Sequence, residues 1–98
     1  MSVTVVTGHP GVGKTTFVAD NKGEGDLVWD YDAAAGALGF PDYPRPRDVH
    51  ALLSDLFRRV TGYASVTTAR SCWLIVAEEE WGQRLLEENP DWTLVNLG

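Results

Sequence analysis

The chain has 98 residues, a formal charge of −6 and a hydrophobic fraction of 44%, which together set one small domain, residues 1–98, built around a single core. An acidic surplus of this size argues against a general nucleic-acid binder, whose footprint is a basic patch, and no apolar window reaches the length of a membrane span. The lone cysteine, Cys72, excludes an internal disulfide and a thiolate metal site, and with no basic, apolar leader at the N-terminus the expected location is the cytoplasm.

Residues 3–7, Val-Thr-Val-Val-Thr, are β-branched throughout and predict a first strand. A glycine-rich loop follows, and the sequence from Lys14 to near Asn21 continues as a helix until Lys22, Gly23, Glu24 and Gly25 break it. Residues 26–32, Asp-Leu-Val-Trp-Asp-Tyr-Asp, predict a second strand that ends in spaced carboxylates. A short helix is expected over 33–38, after which Pro41, Pro44 and Pro46 exclude regular structure. From Asp48 to Val60 the apolar residues Val49, Leu52, Leu53, Leu56, Phe57 and Val60 keep helical spacing and predict an amphipathic helix. The Arg58 and Arg59 pair lies off its apolar face and reads as solvated. Residues 71–77 are almost all apolar, as expected of a strand buried on both faces in the middle of a parallel sheet. Residues 78–88 predict a helix with Trp81 and Leu85 inward, stopped by Asn89-Pro90, and 92–97 a fourth strand. Strands alternating with helices and no hairpin signal imply right-handed crossovers, hence an α/β fold with helices on both faces of a short, mostly parallel four-stranded sheet. Ligands in such sheets sit beyond the strand carboxyl ends, where the first loop, Asp30, Asp32 and Glu78 would gather.

The loop carries the strongest chemical signal. Gly8, His9, Pro10, Gly11, Val12, Gly13, Lys14 and Thr15 fit G-x-x-x-x-G-K-[ST], with Thr16 completing the binding set. Glycines let successive N–H groups turn inward on phosphate oxygens, and a helix N-terminus adds partial positive charge. Lys14 is expected to reach the β and γ phosphates and the Thr15 hydroxyl to complete a Mg²⁺ shell. The backbone of His9 matters more here than its ring. Asp30 and Asp32 would share one face of a regular strand, one holding a Mg²⁺ water and the other orienting an acceptor hydroxyl. On this reading Lys14 and Asp32 are catalytic, and Thr15 and Asp30 serve the metal. A plainer alternative has Asp32 capping a helix that begins at Ala33 while Asp30 faces solvent. Glu78, Glu79 and Glu80 read either as an acid end to the third strand that holds Mg²⁺ or as first-turn acids complementing a helix dipole. Arg70 and Arg84 are the candidate cations for a migrating phosphoryl group.

The loop through Thr16, the apolar strand ending Asp30-Tyr31-Asp32 and the Ala-rich stretch to Leu38-Gly39 resemble small P-loop NTPases of kinase type. The likeness is to the polynucleotide kinase-like and gluconate kinase-like branch, and to small ATPases encoded by actinobacterial phages. It is close over residues 1–40 and holds in outline over the Trp73 strand, its helix and the Leu94 strand. The resemblance implies a three-layer α/β/α sandwich of strand order 2-3-1-4, ATP or GTP with Mg²⁺ in the loop, and Asp32 as base or orienter for a hydroxyl acceptor such as a nucleic-acid end or a small metabolite. Two departures stand out: Ala35 occupies a position where polynucleotide kinase-like enzymes often carry an arginine, and the sequence ends at Gly98, before the lid arginines and fifth strand of such kinases. The expected activity is nucleotide binding with γ-phosphoryl transfer or slow hydrolysis. The alternative is a non-catalytic nucleotide-binding and interaction module, truncated relative to the kinases and completed by a partner or a second copy at the exposed edge of the fourth strand.

Overall fold

A computed structural model describes residues 2–98. Among these, four short runs rich in Val, Leu, Ile, Trp and Thr form strands, and the stretches between them form helices. The order is β1 (Val3–Thr7), α1 (Lys14–Asn21), β2 (Leu27–Asp30), α2 (Tyr31–Ala37), α3 (Arg47–Val66), β3 (Cys72–Ile75), α4 (Glu79–Glu88) and β4 (Thr93–Asn96). The strands make one parallel sheet in the order β2-β3-β1-β4, so the fold and strand order are those expected, with the apolar β3 in the interior.

Strand alternation divides the sheet into two unequal faces. Val3, Val5, Trp29, Cys72 and Leu74 pack with Ala35 of α2, Val49, Leu53 and Ala64 of α3, and Leu85 of α4; Trp29 meets Phe57 with ring centroids 5.5 Å apart. Leu53 and Leu74 are fully buried, and each side chain of that kind contributes about 1.5–3 kcal/mol. On the other face Val6 and Ile75 pack against Val18 of α1, with Phe17, Trp73, Val95 and Leu97 around them. Three helices therefore cover one face and a single short helix covers the other.

The structure corrects three local expectations. β2 stops at Asp30 and α2 starts at Tyr31 rather than Ala33, because the Asp30 carboxylate accepts from the amides of Asp32 at 3.1 Å and Ala33 at 3.4 Å. Asp30, not Asp32, is the helix cap, and the two carboxylates do not share a strand face. α3 continues past Val60 to Val66 because Ala64 extends its buried stripe and Gly62 does not break it. Trp81 points outward beneath the Arg84 guanidinium, 5.2 Å from its ring centroid. The inward position is Gly82, whose lack of a side chain lets α4 lie directly against Thr7 and Leu94. Among the described residues no helix is long and apolar enough to cross a membrane.

Candidate functional site

β1 delivers the chain into the 8–16 loop, and the loop's glycines shape it. Gly13 is the N-cap of α1 with φ +96° and no side chain caps this helix, so the first-turn amides lack the partners that a helix interior provides. At Gly8 a Cβ would stand 2.7 Å from Val12 Cγ1; only glycine lets the loop fold this closely over itself. The Val12 amide donates to the His9 carbonyl at 3.2 Å, closing the turn. Lys14 Nζ donates to the carbonyls of Gly8 at 2.6 Å and His9 at 3.3 Å, which holds the ammonium across the loop. His9, Pro10, Gly11, Val12, Gly13, Thr15 and Thr16 are exposed.

Asp30 reaches this loop through strand register. It lies in the row Asp30, Ile75, Val6, whose apolar members belong to the face covered by α1, so its carboxylate emerges on the α1 side. Thr15 Oγ1 donates to Asp30 Oδ2 at 3.0 Å, while Oδ1 caps α2. One carboxylate thus links the loop to α2. Among the described residues no group of three or more His, Cys, Asp or Glu could hold a metal. The Thr15 and Asp30 oxygens nevertheless fit Mg²⁺, which takes few protein ligands and fills its shell with water and phosphate oxygens.

Asp32 stands one step further, in the first turn of α2. Its Oδ1 accepts from the Tyr43 hydroxyl at 2.7 Å and from Arg45 Nη1 at 2.9 Å. The Arg45 side chain is 1% exposed and that of Asp32 67%. Arg45 also donates from Nε to the Phe40 carbonyl at 2.8 Å and from Nη2 to the Pro41 carbonyl at 3.2 Å, and its guanidinium lies 4.0 Å from the Tyr43 ring centroid and 5.5 Å from that of Tyr31. The proline-rich loop cannot satisfy its carbonyls with a regular ladder, so a planar five-donor side chain does so instead. The Tyr43 hydrogen bond, then that of Arg45 with its charge and that of Lys14, holds the Asp32 carboxyl below its ordinary range against partial desolvation. The same bond pushes the Tyr43 hydroxyl up. The Tyr31 hydroxyl and His50 Nδ1 share a further hydrogen bond that ties α2 to α3.

The structure brings the 8–16 loop, Asp30 and Asp32 to the carboxyl end of the sheet. It does not bring the two expected cations there: Arg70 donates to the Gly25 carbonyl at 3.3 Å, at the amino end of β2, and Arg84 stacks on Trp81. Glu78 is exposed at the N-cap of α4 with no capping bond, and Glu79 accepts from Gln83. Arg45 and Tyr43, which hold Asp32, escaped the sequence reading; the available signal was an Arg and a Tyr interleaved with three prolines, where loop carbonyls need a donor. No model of a known protein family matches this chain, and no curated protein matches it.

Proposed function

We propose that the chain is a P-loop domain of kinase type that binds a nucleoside triphosphate and passes its γ-phosphoryl group to a hydroxyl acceptor. One observation carries the reading: an uncapped helix start, the Lys14 ammonium and the Thr15–Asp30 oxygen pair converge on one glycine-shaped loop. The amides of the loop and of the first turn of α1 receive phosphate oxygens. Lys14 exchanges the Gly8 and His9 carbonyls for phosphate oxygens as a mobile point charge. Thr15 and Asp30 would hold Mg²⁺, which when bound neutralises charge on the β and γ phosphates. Asp32 has one oxygen engaged twice, and its side chain is 67% exposed. Its depressed pKa suits a fixed acceptor that orients a hydroxyl better than it suits a strong base.

Calorimetric titration with MgATP and MgGTP tests the binding step. Lys14→Ala removes a charge-assisted contact worth about 1.5–3 kcal/mol, so it is expected to weaken binding roughly tenfold or more. No heat from the wild type, or equal affinity in the variant, refutes the proposal. Incubation with γ-labelled ATP and candidate acceptors (an oligonucleotide end, a nucleoside, a sugar acid) then tests transfer, with Asp32→Asn expected to lose transfer while retaining binding. A second reading, nucleotide binding without chemistry, draws on Arg45: each of its guanidinium nitrogens is already engaged within the protein, so it is not free for a phosphoryl group. Among the described residues β4 pairs only with β1 and presents the edge that a completing partner would use. Binding without transfer on any acceptor selects this second reading.

A further inference from the structure

α3 carries two apolar stripes where the core uses one. Val49, Leu53 and Ala64 are buried against the sheet, with Phe57 and Val60 packed beside them. Leu52, Leu56, Tyr63 and Val66 face outward, between 39% and 76% exposed. With Arg59 they run 52, 56, 59, 63, 66, the alternating four-and-three spacing of a coiled-coil seam. We propose that this seam pairs antiparallel with the same seam of a second copy of the chain, forming a two-fold dimer.

The charges select both the occupant and the direction. Arg59 is the one charged residue within the seam, and Asp48 and Asp55 flank its first half. In a parallel pair Arg59 would face its own counterpart at the same level, a like-charge contact. In an antiparallel pair whose two-fold axis passes midway between Leu56 and Arg59, Leu52 lies opposite Tyr63 and Leu56 opposite Arg59, with Val66 beyond the paired layers. Asp55, one residue before Leu56, then flanks Arg59 of the other copy. The two-fold repeats that ion pair, so a single surface complements itself, as an isologous interface requires. Within one chain Asp55 pairs with Arg58, both side chains being well exposed, and exchanging an exposed pair of this kind costs little. One helix per copy covers less than the ~1,600 Å² of a standard interface, so the dimer is weak and dependent on concentration.

Sedimentation equilibrium of the full chain from micromolar to millimolar concentration tests this. A monomer–dimer equilibrium is expected in the wild type. Arg59→Asp and Asp55→Arg each place like charges across the interface and are expected to weaken it by roughly tenfold or more. Mixed in equal amounts, the two variants are expected to form a heterodimer at least as well as the wild type pairs with itself. The mixture is the arm that a folding defect cannot imitate. A monomer throughout, a dimer indifferent to both substitutions, or a mixture that stays monomeric overturns the proposal.

Discussion

Gly82 lets α4 lie close against the sheet, and this approach can be tested against a second helical glycine. A Cβ at Gly82 would stand 2.8 Å from Thr7 Cγ2, 3.0 Å from Leu94 Cδ1 and 3.5 Å from Val5 Cγ1. Thr7 and Val5 are fully buried and β-branched, so neither can swing aside. Gly82→Ala is therefore expected to overpack the α4–β1 contact by about 1–3 kcal/mol, partly offset by the ~1 kcal/mol that alanine gains over glycine inside a helix. At Gly62, within α3, an added Cβ meets nothing within 4 Å, so Gly62→Ala collects the helical gain alone. The difference between the two variants isolates the packing cost, which for a domain of this size separates their thermal midpoints by on the order of 10 °C. Thermal unfolding followed by far-UV circular dichroism measures it, at low protein concentration so that self-association does not enter. If Gly82→Ala melts at or above Gly62→Ala, the close approach does not govern this contact. Because Thr7 immediately precedes Gly8, Gly82→Ala is also expected to lower nucleotide affinity, with Gly62→Ala leaving it unchanged.

Asp30→Ala removes the cap of α2 and is expected to cost about 1 kcal/mol in a urea titration, while Asp30→Asn keeps an acceptor oxygen and most of that stability but weakens the Mg²⁺ dependence of nucleotide binding. Equal losses in the two variants would mean that the carboxylate caps nothing. Asp32 has a folded pKa below the free value of 3.8, so its contribution is full above that value and is lost as pH falls through the folded one. It is largely exposed, which keeps the contribution within the ~1 kcal/mol of a screened surface pair. Tyr43→Phe removes the leading cause of that depression, so urea midpoints of wild type and variant are expected to differ near neutral pH and to converge as pH falls below the folded pKa of Asp32; a gap that stays constant with pH contradicts the assignment.

The elements that proved legible in the sequence are those set by period and composition. The β-branched run before the loop, the apolar run around Leu74 and the helical spacing from Val49 to Val60 each left one reasonable structure. What was misread depended on local geometry. Asp30 and Asp32 look equivalent along a strand, but a side chain that turns back onto the next amides ends the strand and assigns the two carboxylates different work. Trp81 looks like the inward residue of α4 because bulk usually faces the core, yet the helix lies too near β1 to admit any side chain, so a glycine takes that place. Arg45 had no periodic signature at all, since its partners are loop carbonyls and a carboxylate in a preceding helix. At the loop, the spacing of glycines, lysine and threonine sufficed to locate the candidate site. The partnership of Thr15 with Asp30 required the register of β2 on β3.

α1 alone covers its face of the sheet, where Val28 is exposed and Trp73 only partly covered. A free peptide of eight residues would not stay helical in water, so this helix exists because Val18 and Phe17 rest on Val6 and Ile75. Any anion clasped by the loop fastens that same turn of helix, and its binding free energy adds directly to the persistence of the thinner layer. The occupancy of the loop should therefore register in the amide hydrogen exchange of β1 and β3 beneath α1, well away from the ligand. In this architecture the roof of the smaller core and the proposed grip on a phosphate are one object.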